Sequence, residues 1–474
     1  MPTTLRRSCD SCARAKHRCD LQVPRCSRCL RRKVACVYAN QPSSALRDFS
    51  DITTVAPYDH GMSDTHTSTT LTATTESAVP IRLFETVDAS LDPFDSYPTT
   101  KIPRTHVQRL IYHFLNSVAF QYYPLDMNKQ SNPFIVTWWP LALHDPALFH
   151  VSLQTASLDI ELHAQKGFPI STILMVDSVA HVRRKIEESP SCIEDQTMNA
   201  VVTLAAIEHG KGNLEASKAH IHGVKKMASI RGGLHEVKRS SALTARMVSW
   251  VCLLVTCWPQ FDIMDDNGMG NGVEPIVQWE LATAEQDALD PELDSFDIDP
   301  AIRDITARLR IIFHRPCLSG TDLHDLTSFV IHKLLLLPPF PAPQSIGSIM
   351  SEIIRFSLVL HLLIVHGTAF YSHTHLATSV LVRLKGQLQN LRANQDSWTS
   401  LHVWTISICM ATSIEAAERA FFVEEARLCS LALGLTEWDH VVSHLKRILW
   451  MKTTMDEPFW SEWQEILPVV SPLQ

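Results

Sequence analysis

The sequence predicts a chain in three parts: a small cysteine-organised module of two short helices and loops at residues 5–40, a disordered linker at 41–80, and a large all-α body at 81–474. Three observations predict it. Six of the twelve cysteines fall within 28 residues, "CDSCARAKHRCDLQVPRCSRCLRRKVAC" from Cys9 to Cys36. The composition then changes abruptly from Gln41 to about Pro80, where "THTSTTLTATTES" sits in a stretch poor in large apolar residues. From residue 81 to the end, apolar residues recur at helical spacing and alternating strand patterns are nearly absent.

A cysteine-dense stretch in an exported protein would be a disulfide scaffold. The N-terminus, MPTTLRRSCD, has two arginines and no apolar segment, so nothing in it directs export. In the cytosol or nucleus the thiols stay reduced, and metal is the better reading. The spacing is C-x2-C-x6-C-x6-C-x2-C-x6-C, formed by Cys9, Cys12, Cys19, Cys26, Cys29 and Cys36. It is one unit, C-x2-C-x-R-x-K-x-x-C, written twice, with Arg14 and Lys16 matched by Arg31 and Lys33. Two cysteines three apart reach one ion from a tight turn, and the third lies about two helical turns further on. Structural zinc takes four ligands, so two ions need eight positions, and six thiolates fill them when two bridge. A single zinc on four cysteines, with two thiols spare, is the arithmetic alternative; it leaves the internal symmetry unused.

On these residues the stretch resembles the fungal Zn2Cys6 binuclear cluster DNA-binding family. The six cysteines fit its pattern, as do the basic segment between Cys12 and Cys19, Asp20, Pro24 and Tyr38. The resemblance implies two Zn2+ ions per chain, with Cys9 and Cys26 as bridges, Cys12 and Cys19 completing one site, and Cys29 and Cys36 the other. It also implies double-stranded DNA as partner, read as a CGG-type triplet in the major groove. Lys16 holds the main base-reading position, where an ammonium donates to guanine O6 and N7. Arg14 and Arg18 are then phosphate contacts, and His17 is a weaker candidate. Ala13 and Ala15 depart from the family, in which Arg or Lys is frequent there. For Arg31, Arg32 and Lys33, phosphate binding and a solvated charged face both remain open. Arg6 and Arg7, with this second basic cluster, suit a nuclear import signal.

Charge supports a nucleic-acid role. Residues 1–40 carry ten Lys or Arg against two Asp, a formal +8, while the remainder holds 32 against 48, or −16. The overall −8 hides this division. Six thiolates and two Zn2+ would leave the head near +6, still a basic module on an acidic chain.

The Ser- and Thr-rich stretch at 41–80 reads as a disordered tether. No apolar a/d repeat is sustained over two heptads between Tyr38 and Pro103. Any dimer is therefore expected through the body, and binding as a monomer stays open.

In the body, Asp145 before Pro146 is a helix start, with Leu148, Val151, Leu158 and Leu162 on one face and Gly167 as stop. A second helix is expected over 214–230, with Ile221, Val224 and Ala228 inward and Lys225 and Lys226 outward, closing at Arg231-Gly232-Gly233. Similar patterns cover 301–315, 322–337, 346–371, 399–432 and 437–452. The longest apolar run, from about Phe356 to Tyr371, is broken by His361 and His366 and falls short of a membrane span. "WPLALHDPALFHVSLQTAS" from Trp139 and "HIHGVKKMASIRGGL" from His220 resemble the fungal-specific transcription factor regulatory domain. That resemblance implies a helical region that modulates DNA binding or recruits coactivators and transcription machinery.

Catalytic signals are weak. His220 with His222, and His373 with His375, are two apart and share no helix face, so they read as surface or core residues. "NGMGNG" from Asn267 lacks a preceding strand and a phosphate-binding lysine, and reads as a flexible loop. Cys192, Cys252, Cys257, Cys317, Cys409 and Cys429 read as small core residues. Nine acidic residues and no Lys or Arg lie between Glu274 and Asp299, interleaved with Trp279, Leu289, Leu293, Phe296 and Ile298. This stretch suits either a coactivator-binding segment or a solvated loop. The tail "MDEPFWSEWQEIL" suits either the same chemistry or a last docked helix.

The expectation is a nuclear, non-enzymatic, sequence-specific DNA-binding regulator of RNA polymerase II transcription. The alternative is a zinc-containing adaptor without sequence-specific DNA binding. The tether expectation has a direct test. Limited proteolysis of the chain should nick first within residues 45–80; early cleavage near 150 or 220 instead would overturn this boundary.

Overall fold

The computed structural model describes residues 10–15, 27–32, 97–165, 167–188, 193–282, 297–314, 318–339, 345–367, 373–394, 397–413, 416–451 and 456–467. The chain divides into two compact units, Met1–Pro80 and Ile81–Gln474. In the first, two short helices, α1 (Asp10–Arg14) and α2 (Ser27–Arg32), pack on each other. The expected tether, 41–80, lies outside the described residues.

The regular elements of the second unit's described residues are all helices, apart from one isolated extended pairing, Ile263 with Val273. Its first part runs α3 (Arg104–His113), α4 (Ala119–Tyr122) after a wider π-helical turn, α5 (Trp139–His144), α6 (Pro146–Ala164), α7 (Pro169–Glu187), α8 (Asp195–Gly210), α9 (Leu214–Ile230), α10 (Leu234–Ser240), α11 (Ala242–Thr256) and α12 (Val277–Leu281). Its second part runs α13 (Pro300–His314), α14 (Gly320–Leu336), α15 (Ile346–His366), α16 (Thr374–Asn394), α17 (Ser400–Thr412), α18 (Ala416–Leu433), α19 (Trp438–Ile448) and α20 (Asp456–Gln464). The three most extensive pairings are between helices adjacent in sequence, α6 with α7, α8 with α9 and α15 with α16. Short connections favour such neighbours.

Local chemistry sets the helix ends. The Asp145 carboxylate accepts from Leu148 N at 2.9 Å, with Pro146 in the first turn. Ser319 and Asp322 form a reciprocal capping box, and the Ser241 and Ser345 hydroxyls cap α11 and α15. The α9 helix spans Leu214–Ile230 as expected and closes on Gly232 and Gly233, both with positive φ. A Cβ on Gly233 would lie 2.6 Å from the Asn271 carbonyl oxygen, so this corner requires glycine.

Several expectations are corrected. Leu148, Val151 and Leu158 are buried, but Leu162 is 43% exposed. Because α5, α7 and α8 all pack on α6, its apolar residues do not mark a single face. Its stop is Gln165 in the left-handed region, two residues before Gly167. Lys226 is exposed, whereas Lys225 is half-buried and donates to Gln260 at 3.1 Å. The 399–432 pattern is two helices, α17 and α18, and the 346–371 pattern ends at Gly367, whose φ is +81°. The apolar run begins ten residues earlier than Phe356, so α15 is long and apolar enough to cross a membrane. In the fold 83% of that apolar window is buried inside the body, as a central core helix would be.

The two acidic–aromatic segments are anchored where they are described. Trp279 is fully buried against Phe329 and donates to Asp266 Oδ1 at 2.8 Å, and Ile298 is buried. Leu289, Leu293 and Phe296 lie outside the described residues. The tail docks as α20, with Trp463 fully buried and donating to Ser407 Oγ at 2.8 Å. The "NGMGNG" segment is a closed loop: the Asp265 carboxylate accepts from Asn267 N and Met269 N, and Val273 N donates to Asp262 O at 2.8 Å.

The core also holds polar groups. Arg355, buried on α15, donates to the carbonyls of Leu334, Leu335, Leu337 and Pro338 and pairs with Glu352 at 3.2 Å. It thereby satisfies the C-terminal carbonyls of α14. Burial holds the His332, His361 and His402 rings at about 4 and His324 at about 3, below the usual 6.5. Both ring nitrogens of His361 are buried with no hydrogen-bond partner, between Phe313 and Trp404.

These histidines set an acid limit on stability. Near neutral pH the rings are uncharged in both states. As pH falls below 6.5 the unfolded chain takes up protons that the folded core refuses until about pH 4, so stability is lost across that window. Each such ring costs about 2 kcal/mol at pH 5. His361→Leu should recover about that amount at pH 5 and little at pH 7.5, read from denaturant midpoints. An unchanged pH slope would remove His361 from the account.

Candidate nucleic-acid interface

The described part of each cysteine unit is a short helix. α1 begins at the residue after Cys9 and carries Cys12 as its third residue; α2 begins after Cys26 and carries Cys29 as its third. α1 opens at Asp10 and incorporates Cys12, with Ala15 N donating to Ser11 O at 3.2 Å. Arginines in the last turn of each helix match the helix dipole.

Cys12 and Cys29 are 0% and 1% exposed, while Arg14, Ala15, Arg31 and Arg32 are exposed. Sulfurs point inward and guanidinium groups outward. Arg14 and Arg31, equivalent in the repeat, take equivalent exposed places. Arg28, which the sequence reading passed over, is half-buried and directs Nη1 to Cys12 Sγ at 3.9 Å. Its signal was the basic residue inside the second C-x2-C step, where the first has Ser11. Cys9, Cys19, Cys26, Cys36, Lys16, His17 and Arg18 lie outside the described residues, and among those that are described no three metal-ligating side chains converge.

The donor set fits zinc. The two buried thiols lie on helices that pack together, soft sulfur donors are what structural zinc takes, and four more cysteines flank them in sequence.

In the body, a cavity between α10, α11, α14 and the 272–274 turn is lined by Lys238, Arg246, Glu274, Asp325 and Ser328. Its charges are paired with one another, Arg246 with Asp325 at 2.7 Å and Lys238 with Glu274 at 3.3 Å. Burial pushes the Cys252, Cys409 and Cys429 thiols up, the last to about 12, away from the reactive thiolate. His220 is half-buried and His222 exposed, as in a packed helix.

A head with two buried cysteines and exposed arginines, and a body that is mainly helical in its described residues, agree with the class the sequence pointed to, a zinc-binding, DNA-binding transcription regulator. Residues 7–45 match the model of the fungal Zn(2)-Cys(6) binuclear cluster domain, and residues 109–417, more than half of the chain, match that of the fungal specific transcription factor domain. The chain belongs to this family of fungal transcription factors. No curated protein and no solved structure matches it.

Proposed function

We propose that the protein is a nuclear, sequence-specific regulator of RNA polymerase II transcription. Its head, residues 5–40, holds two Zn2+ ions on six cysteines, with Cys9 and Cys26 as bridges, and reads a CGG-type triplet. The carrying observation is the pair of buried thiols, Cys12 and Cys29, on two packed helices whose exposed last turns are arginine. The metal's contribution is structural: it ties together helices too short to be stable alone. Lys16 donates to guanine, Arg14, Arg18 and Arg32 meet phosphates, and His17 flanks them. The exposure of Arg14 and Arg32 supports the phosphate roles. Residues 41–80 tether the head to the regulatory body at 81–474, through which coactivators or transcription machinery are contacted. With no heptad repeat after Tyr38, pairing of two chains falls to the body, and flexible tethers would then tolerate variable half-site spacing.

Metal analysis of the full chain should give two zinc ions per chain; one ion would remove the bridged cluster. Competition binding then separates the roles. Lys16→Ala should cost about 1 to 3 kcal/mol on the preferred site and flatten discrimination at one or two base pairs. Arg32→Ala should weaken all duplexes alike and reduce the salt slope by about one. A uniform loss for Lys16→Ala on cognate and scrambled DNA would make Lys16 a phosphate anchor.

A further inference from the structure

We propose that Arg28 is a positioning residue of the metal cluster, holding the Cys12 thiolate of the first unit from within the second. The inference rests on the reading of the head as a two-zinc thiolate cluster.

Three observations carry it. Arg28 Nη1 lies 3.9 Å from Cys12 Sγ, across sixteen positions of chain, within the reach of a hydrogen bond to sulfur. Cys12 is fully buried and Arg28 half-buried, so this guanidinium is turned inward while Arg14, Arg31 and Arg32 are exposed. Finally, Arg28 stands between Cys26 and Cys29, so its backbone is held by two ligands of the second unit while its side chain reaches a ligand of the first.

The chemistry follows from charge. Six thiolates on two divalent ions leave two net negative charges in a module with little core to shelter them. A guanidinium donating to one thiolate offsets part of that charge, fixes the sulfur's direction and leaves it less available for protonation or transfer to a competing ligand. The contact also links the two halves independently of any bridging sulfur. Partners of this kind, acting on the ligand and not the metal, change metal affinity by roughly 10–100-fold when removed.

The test uses the full-length chain loaded with zinc. Arg28→Ala should still bind two ions but release them to a chelator at least ten-fold faster than the parent, and Arg28→Lys should recover part of the loss. Arg32→Ala, which removes the same charge from an exposed position, should release zinc at the parent rate. In the cobalt-loaded protein, removing a donor from a thiolate raises its electron energy, so Arg28→Ala should move the sulfur-to-metal charge-transfer band to lower energy. Two ions bound, parent-like release and an unshifted band in Arg28→Ala would overturn the role of Arg28 and leave the cluster standing. Fewer than two ions in the unsubstituted chain would overturn the cluster reading itself.

Discussion

Two short helices that bury one thiol each have little besides a metal to hold them together. Among its described residues the head buries Cys12 and Cys29, on helices five and six residues long. Helices of that length do not persist alone, because the cost of nucleation is not recovered in one turn. A module of about forty residues cannot supply the missing energy by apolar burial. Thiolate coordination can, since binding free energy becomes folding free energy when no site exists in the unfolded chain. The arginines can then be spent on the surface, where a phosphate backbone would meet them.

The body solves the opposite problem. Its central helix, α15, is apolar enough for a membrane and lies in a core built by α13, α14, α16 and α17. A helix buried on nearly all sides leaves its few polar groups no route to water, so each must find a partner or carry a cost. Arg355 finds four carbonyls at the end of α14. His361 finds only aromatic faces, and its neutral ring is the form the core accepts.

What was legible in the sequence follows the range of the forces involved. Spacing within one turn reads well: the Asp145 cap and the bounds of α9 stand as read, because each rests on contacts a few residues apart. Burial from several sides reads poorly. Leu162 was placed inward because one face was assumed where α6 has several, and the composition of α20 could not decide between an activation segment and a docked helix until Trp463 was found against Ser407. Arg28 belongs to the same class, since its contact crosses sixteen residues and depends on how α1 meets α2. The base-reading position, Lys16, was legible only through family resemblance; spacing alone marks it as basic and nothing more.

The charge division gives the two parts different sensitivities to salt. A head at +8 attracts a polyanion, and a remainder at −16 repels it. Direct phosphate contacts displace condensed counterions and act at hydrogen-bond range, whereas repulsion from a tethered body acts across solvent and is screened beyond about 8 Å at physiological ionic strength. The acidic remainder therefore subtracts little from a head already seated on its site. It subtracts more from loose encounters, in which no contact is made and only the long-range field is felt. An acidic remainder would in this way slow the long-range encounter with DNA more than it weakens a head in contact with phosphates, and it would do so without touching DNA.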